Sequence, residues 1–368
     1  MAKLFKEFQM ILTYKYKLYR TKRLKHIDKI INISGIIYNH CIAIHKRYYK
    51  IYRKSLNKYQ LQKHLTKLKK LPKYSYWKKV PSQAIQDITD RIDKAYKLFY
   101  RNQKQGIKSA PPTFQKVKKY KSYTLKQAGY KIENNIISLN GYKFKFWLSR
   151  PIDGKIKTIT IKRDNIGDYY ICISLEKEYS KISATSGKIV GIDFGLKTFL
   201  VLSDKTEIKS PLYYLKHLNN LKQFQKKLSK KVKGSNNYKK AKITLAKLYH
   251  KVVNSRKDFF HKLANEIAKS YKYIVIEDLN IKAMQKLWGR KISDLSFSEF
   301  VNILEYKTNL IKINRYYPSS KTCSNCGNIK NDLKLEDRVY KCDKCGLVID
   351  RDLNASINIK RVGASTLA

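Results

Sequence analysis

Four cysteines near the end of the chain constrain its fold more than any other feature. Cys323, Cys326, Cys342 and Cys345 stand as C-x2-C-x15-C-x2-C. Within each pair the two intervening residues let both thiolates converge on one tetrahedral ion, and zinc is the natural occupant. Each pair is followed by a glycine, Gly327 and Gly346, which supplies the φ > 0 turn that lets backbone amides approach the sulfurs. The spacing predicts a zinc ribbon; the bland alternative is four unrelated thiols. A ribbon fills every metal position with protein and leaves none for water or substrate, so it is a scaffold or a nucleic-acid contact. The segment from Asp350 to Ile359 then reads as a short helix opening with Asp350 and Asp352. Acids at a helix start are ordinarily caps, unless other carboxylates share a metal with them.

Charge narrows the partners. The 368 residues hold 80 Lys plus Arg against 27 Asp plus Glu, a formal charge of +53. That excess exceeds what solubility requires and implies a polyanion, with nucleic acid first among candidates. A basic disordered tail does not fit, because 43% of residues are hydrophobic and 29 tyrosines are spread through the basic segments. Tyrosine beside lysine suits base stacking and phosphate contact. Cys41 and Cys172 lie outside the ribbon in apolar stretches, so no disulfide framework is expected and the compartment is reducing. No run of 18 apolar residues occurs and the first ten residues lack an apolar signal core, which leads us to expect a cytoplasmic, non-membrane protein.

In chain order, residues 5–19 alternate as a strand. Helical periodicity runs from Thr21 to about Tyr52, where Ser34 and Gly35 thin the stripe and weigh against one unbroken helix. A second helix begins at Pro81 and continues to Arg101. Residues 102–122 form an extended basic linker. Strands at Ile136–Leu139 and 142–148 flank Asn140-Gly141, the signature of a type I′ hairpin. A second pair, 156–161 and 169–175, closes around Asp164, Asn165 and Gly167. From Lys188 three short strands follow, then two basic helices at about 213–231 and 238–271, broken by residues 234–237. Last comes a buried strand at Ile274–Ile276.

Three carboxylate positions accumulate along this path: Asp193 within the first of the three strands, Glu277 at the end of the buried strand Ile274–Ile276, and Asp350 or Asp352 opening the final helix. A carboxylate within an apolar strand is costly unless it is paired or bound to a cation. In a meander, helix, strand, helix order these acids can meet at one edge of the sheet. Two divalent cations about 4 Å apart, bridged by such acids, stabilise both the attacking water and the leaving oxygen of phosphodiester cleavage. Magnesium, which takes oxygen ligands and keeps several waters, suits such a set.

The runs GIDFGLKTF, IVIEDLNIKAM and SKTCSNCG…YKCDKCGLVIDRDLNASINI resemble the three RuvC-type motifs and zinc ribbon of the TnpB family, insertion-sequence proteins related to the ancestors of type V CRISPR effectors. Tyr38–His40 and the run from Val80 to Arg101 extend the resemblance toward the N-terminus. It implies an RNA-guided DNA endonuclease. By that resemblance Asp193, Glu277 and Asp352 match the catalytic, magnesium-binding acids. Cys323, Cys326, Cys342 and Cys345 match the zinc ligands. Asp352 is chosen over Asp350 because the family's aspartate lies two residues before the Asn-Ala pair, here Asn354-Ala355. One departure is the lack of a tryptophan just before Phe300, which bears on local packing only.

The fold expected is α/β and multidomain. A ribonuclease-H-like, RuvC-type nuclease domain spans 181–368 with a zinc ribbon inserted at 318–348. It is preceded by a wedge-like, oligonucleotide-binding-like β-barrel (1–18 and 108–180) interrupted by a helical recognition domain (19–107). The implied partners are a non-coding guide RNA and a double-stranded DNA target beside a short adjacent motif; the sequence leaves the oligomeric state open, with one protomer per RNA expected. In a prokaryote this places the protein in the cytoplasm, on the nucleoid when bound to DNA. Two other readings remain: a nuclease-inactive, RNA-guided DNA-binding repressor, which would be expected to have lost an acid, and a zinc-ribbon RNA-binding protein, which would leave a strand-buried Asp193 without a purpose.

Overall fold

The computed structural model describes residues 8–179, 181–281, 283–284, 286, 289, 294–334 and 336–367. Residues 5–7 of the expected first strand, Lys282 of the second motif and Leu335 of the ribbon lie outside these. The contacts divide the chain into two compact units, Met1–Tyr179 and Ser180–Ala368.

In the first unit, β1 (Phe8–Lys17) leads into α1 (Leu24–Tyr52), α2 (Lys58–Leu68), a 3-10 helix at Pro72–Lys79 and α3 (Ser82–Lys104). Strands β2 (Ser122–Leu125), β3 (Tyr130–Glu133), β4 (Ile136–Leu139), β5 (Tyr142–Lys145), β6 (Lys155–Arg163) and β7 (Tyr169–Tyr179) follow. One antiparallel sheet has the order β1-β7-β6-β2, and a second has the order β3-β4-β5. A bridge between Leu18 and Phe146 joins the end of β1 to the end of β5. Asn140 and Gly141 take φ of 48° and 79°, the two left-handed positions that a type I′ turn requires.

Helix α1 is unbroken through Gly35, contrary to expectation. The glycine marks close packing instead: a Cβ there would stand 2.9 Å from Cβ of Tyr120. Helix α2 was not read from the sequence, because only Leu61 and Leu65 are buried on an otherwise polar segment. Its signal is a capping box, in which the Asn57 side chain accepts from the Gln60 amide and Gln60 accepts from the Asn57 amide.

The second unit carries β8 (Ile189–Phe194), β9 (Thr198–Leu202), β10 (Glu207–Lys209), α4 (Tyr213–Lys216), α5 (Leu218–Ser229), α6 (Asn236–Ser270) and β11 (Tyr273–Glu277). After these come α7 (Phe297–Lys307), β12 (Asn309–Ile313), β13 (Val339–Lys341), β14 (Val348–Asp350) and α8 (Arg351–Ser365). The central sheet has the order β10-β9-β8-β11-β12. Strands β8, β9 and β10 form an antiparallel meander, and β11 runs parallel to both β8 and β12. The helix expected over 213–231 is instead two, broken at His217, which leaves helical backbone geometry with φ −101° and ψ 4°. The short first piece is held at its start by buried Asp294, which accepts from the amides of Tyr214 and Leu215.

Strand alternation divides the residues of this sheet between its two faces. Val190, Ile192 and Phe194 of β8, with Ile274 and Ile276 of β11, join Phe260, Phe297 and Phe300 of α6 and α7 in one core. Phe194, Phe199, Phe297 and Phe300 interlock there, with Phe199 and Phe297 stacked at 5.6 Å. Val275 belongs to the opposite face, in a smaller cluster with Ile313 and Ile359 of α8. By the same alternation Asp193 and Glu277 share that α8 face.

Candidate active site and four-cysteine module

Asp193 and Glu277 stand at the C-terminal ends of adjacent parallel strands. Ile192 pairs with Ile276, so the two acids are the next residues along β8 and β11. The third acid arrives on α8, whose approach depends on two glycines. A Cβ on Gly191 would overlap the Ser356 carbonyl of α8, and one on Gly363 would overlap the Val275 side chain of β11. The helix is therefore seated directly on strand backbone, with its first turn beside the β8–β9 turn. A Cβ built on Gly195 would lie 3.7 Å from Oδ2 of Asp352.

Of the three acids, Asp193 is the one on which both of the others act. Burial pushes the Asp193 carboxyl up to about 7, with further upward pressure from Asp352 and then Glu277. Glu277 is likewise pushed up to about 7 by burial, opposed by the Ser319 hydroxyl, whose Oγ donates to Oε1 at 3.5 Å. Asp352 has cationic partners instead: the Arg338 and Arg351 guanidinium groups each stand 3.5 Å from its carboxylate. Asp350 is differently employed. It is the N-cap of α8, accepting from the amides of Asp352 at 2.9 Å and Leu353 at 3.0 Å. Asp278, next to Glu277, is ion-paired with Arg315.

Among the described residues, only the four cysteines place ligand atoms all within 4.8 Å of one another. Sγ of Cys323 lies 3.6 Å from that of Cys345, and Sγ of Cys326 lies 3.5 Å from that of Cys342. Four Zn–S bonds of about 2.3 Å in a tetrahedron place the sulfurs about 3.8 Å apart, so the donor set fits zinc. Both knuckles use the expected glycines: Gly327 has φ 76° and Gly346 φ 71°, and their amides donate to the carbonyls of Cys323 and Cys342 at 3.0 Å. The amide of Leu347 draws the Cys345 thiol down to about 6. Cys326, despite an amide hydrogen bond from Asn328, is pushed up to about 12 by burial and its sister thiols. Four thiols cannot all ionise side by side without a cation between them.

Sequence reasoning missed the strap that joins the two clusters. Asn354 Nδ2 donates to the Thr322 carbonyl at 2.7 Å, and Asn354 Oδ1 accepts from the Ser324 amide at 2.9 Å. Asn358 Nδ2 donates to the carbonyls of Ser319 and Thr322. Both asparagines are fully buried. Their only signal is a spacing of four on one helix face, which ordinary polar residues share. Arg338 was missed too, because its partner Asp352 is brought to it only by the pairing of β13 with β14.

The architecture is that of a two-unit α/β protein. It superposes on Cas12f1, solved in a Cas12f1–sgRNA–target DNA complex, with a TM-score of 0.59 and 17% identity over 92% of this chain and 83% of that one. It also superposes on CasPhi-2, solved bound to crRNA, with a TM-score of 0.52 and 11% identity over 96% of this chain and 98% of that one. The profile of a family described as "Probable transposase" matches residues 170–287, and that of the "Cas12f1-like, TNB domain" matches 297–359. A Streptomyces pristinaespiralis protein named "Putative RNA-guided DNA endonuclease" is 28% identical over 98% of this chain and 91% of its own length. Escherichia coli K12 "Putative RNA-guided DNA endonuclease InsQ" is 28% identical over 83% of this chain and 80% of its own. "TnpB-like protein L79" of Acanthamoeba polyphaga mimivirus is 33% identical over 58% of this chain and 45% of its own. These matches bear out the resemblance to the TnpB family of insertion-sequence proteins.

Proposed function

We propose that this protein is a transposon-encoded, RNA-guided DNA endonuclease that hydrolyses phosphodiester bonds with divalent metal. The observation that carries the reading is the convergence of Asp193, Glu277 and Asp352 from three separate elements, with Asp193 raised by both of the others. Such a group gains most from a divalent cation, which removes the mutual repulsion and offsets the burial. Magnesium held by these acids would supply charge neutralisation at the attacking and leaving oxygens of an in-line displacement. The protein's part is to hold the carboxylates: the β8 and β11 ends fix two of them, while Asp350 caps α8 and Arg338 and Arg351 steady the third. With Asp350 engaged as a cap, Asp352 is the member of the pair left for metal.

In this reading zinc on Cys323, Cys326, Cys342 and Cys345 is structural, closing a ribbon. The sheets of the first unit form a wedge-like barrel that, with the helices of 19–107, holds the guide RNA and reads a short motif beside the double-stranded target. The division into 1–18 with 108–180, 19–107 and 181–368 belongs to the same proposal, as do one protomer per RNA and a cytoplasmic setting. Among the described residues no helix is long and apolar enough to cross a membrane.

The test is to express the chain with its native flanking DNA and wash the purified protein in high salt. One defined non-coding RNA should be retained, and replacing the RNA's 3′ segment should move cleavage to the matching duplex, because pairing selects the site. Asp193→Asn, Glu277→Gln and Asp352→Asn should each abolish cutting in magnesium while leaving RNA retention within about twofold, since the basic surface is untouched. Random RNA fragments, or cutting that ignores the guide, would refute the guided reading.

A further inference from the structure

At the end of β1, two large aromatic rings face outward with no core to bury them. Tyr19 and Trp147 are stacked, with centroids 6.2 Å apart and planes inclined by 30°, yet they are 43% and 63% exposed. They are held in place by backbone, not by their own burial. The Tyr19 amide donates to the Lys145 carbonyl at 2.9 Å, and the Trp147 amide donates to the Lys17 carbonyl at 2.8 Å. The intervening Leu18 and Phe146 point inward and are fully buried. Period-two alternation therefore directs Tyr19, Lys145 and Trp147 to the same outer surface. Lys145 Nζ lies 5.8 Å from the Tyr19 ring centroid. The nearby acids are already neutralised: Asp168 by Lys17 and Arg20 at 2.6 and 2.9 Å, and Glu133 by Lys131 at 2.6 Å.

We propose that Tyr19 and Trp147 form a stacking platform for one unpaired nucleobase of a bound RNA, with Lys145 on the adjoining phosphate. This rests on the reading of the chain as an RNA carrier and adds the site at which the RNA is gripped. Flat, rigid, exposed rings with an ammonium at their edge match a base and its phosphate together. A purely apolar partner would bury Lys145 without a counter-charge. A duplex has no free base face to offer, whereas folded RNA splays bases out of loops and bulges, so RNA is the occupant favoured.

Trp147 is also its own reporter. The protein has three tryptophans, and the fluorescence lost in Trp147→Phe isolates this one. The full chain, freed of nucleic acid in high salt, is titrated with single-stranded oligoadenylate RNA and with the same strand paired to oligouridylate. Expected are quenching of the Trp147 component by the single strand and little by the duplex, with affinity lowered roughly tenfold in Trp147→Leu and largely kept in Trp147→Phe. Because leucine preserves apolar area without a π face, equal binding by Trp147→Leu and the parent overturns the platform. So does equal quenching by duplex. Circular dichroism and melting of both variants should match the parent, since the ring is mostly exposed. If a defined RNA is retained on purification yet Trp147→Leu binds it as the parent does, only the platform fails. If the single strand quenches Trp147 but no defined RNA is retained, the guided reading fails and the platform stands.

Discussion

An aspartate and a glutamate that titrate near neutrality give this protein a stability that depends on pH with a definite sign. Asp193 and Glu277 rise to about 7 from ordinary values of 3.8 and 4.5. Between those values the folded chain keeps protons that the unfolded chain would release, so unfolding grows easier as pH climbs toward 7. In EDTA, the parent should therefore lose melting temperature between pH 5 and pH 8 by more than Asp193→Asn, whose amide has no proton to lose. The difference between the two isolates the site from Asp90 and Asp168, whose carboxyls are held below the usual range by lysine and arginine and act in the opposite direction at lower pH. Magnesium should restore stability at pH 8 in the parent and much less in the variant. A parent and variant with parallel pH profiles would sink the coupled-acid account. Residue types and local motifs marked Asp193 and Glu277 as candidates beforehand. The choice between Asp350 and Asp352 was legible only by resemblance, because both sit at a helix start and differ in what the fold leaves for each to do.

At the scale of elements, the site depends on how closely α8 lies on the sheet. Gly191 and Gly363 set that distance, and neither was singled out from the sequence, where each reads as an ordinary break in a strand or helix. Gly191→Ala should cost about 1–3 kcal/mol, because the methyl meets helix backbone that cannot rotate away. Cleavage should fall further than stability alone explains, as the first turn of α8 moves off Asp193. Denaturant titration and single-turnover cutting of the same preparation check this, and an unchanged cleavage rate would disprove the seating argument.

The four-cysteine module is the second element-scale lever, since Asn354 and Asn358 tie its first knuckle to α8. Cys342→Ser should abolish zinc retention and expose the C-terminal region to protease. Asn354→Ala should keep the zinc but still loosen the helix start. Metal analysis beside limited proteolysis separates the two, and a zinc-free parent would end the structural-zinc reading.

For the whole molecule, among the described residues each unit has its own hydrophobic interior: one large cluster in the first, and separate clusters around the sheet, under α8 and beside the cysteines in the second. Two such cores support two unfolding transitions. Chelating zinc should lower the transition of the second unit and leave that of the first in place, which calorimetry with and without chelator can resolve. A single transition that shifts as a whole would show the two units to be one cooperative block. The charge of +53 acts at this scale as well, guaranteeing polyanion binding that weakens with salt whatever the RNA. Affinity by itself is therefore a poor test of function.

The amino-acid sequence by itself determined whatever short-range chemistry encodes. Cysteine spacing and its glycines specified a four-cysteine knuckle, Asn140-Gly141 a hairpin and apolar runs the central strands, while isolated carboxylates in those runs raised the expectation of a cation site. These are local because a turn, a strand face or a chelate loop is completed within a few residues. Only the tertiary structure decided which partners meet. It seated α8 on Gly191, made Asp350 a cap, brought Arg338 to Asp352 across β13 and β14, strapped the ribbon through Asn354 and Asn358, and stacked Tyr19 on Trp147 across 128 residues of chain. Such pairings are set by the register of distant strands and the depth of helix packing, for which no residue carries a local signal.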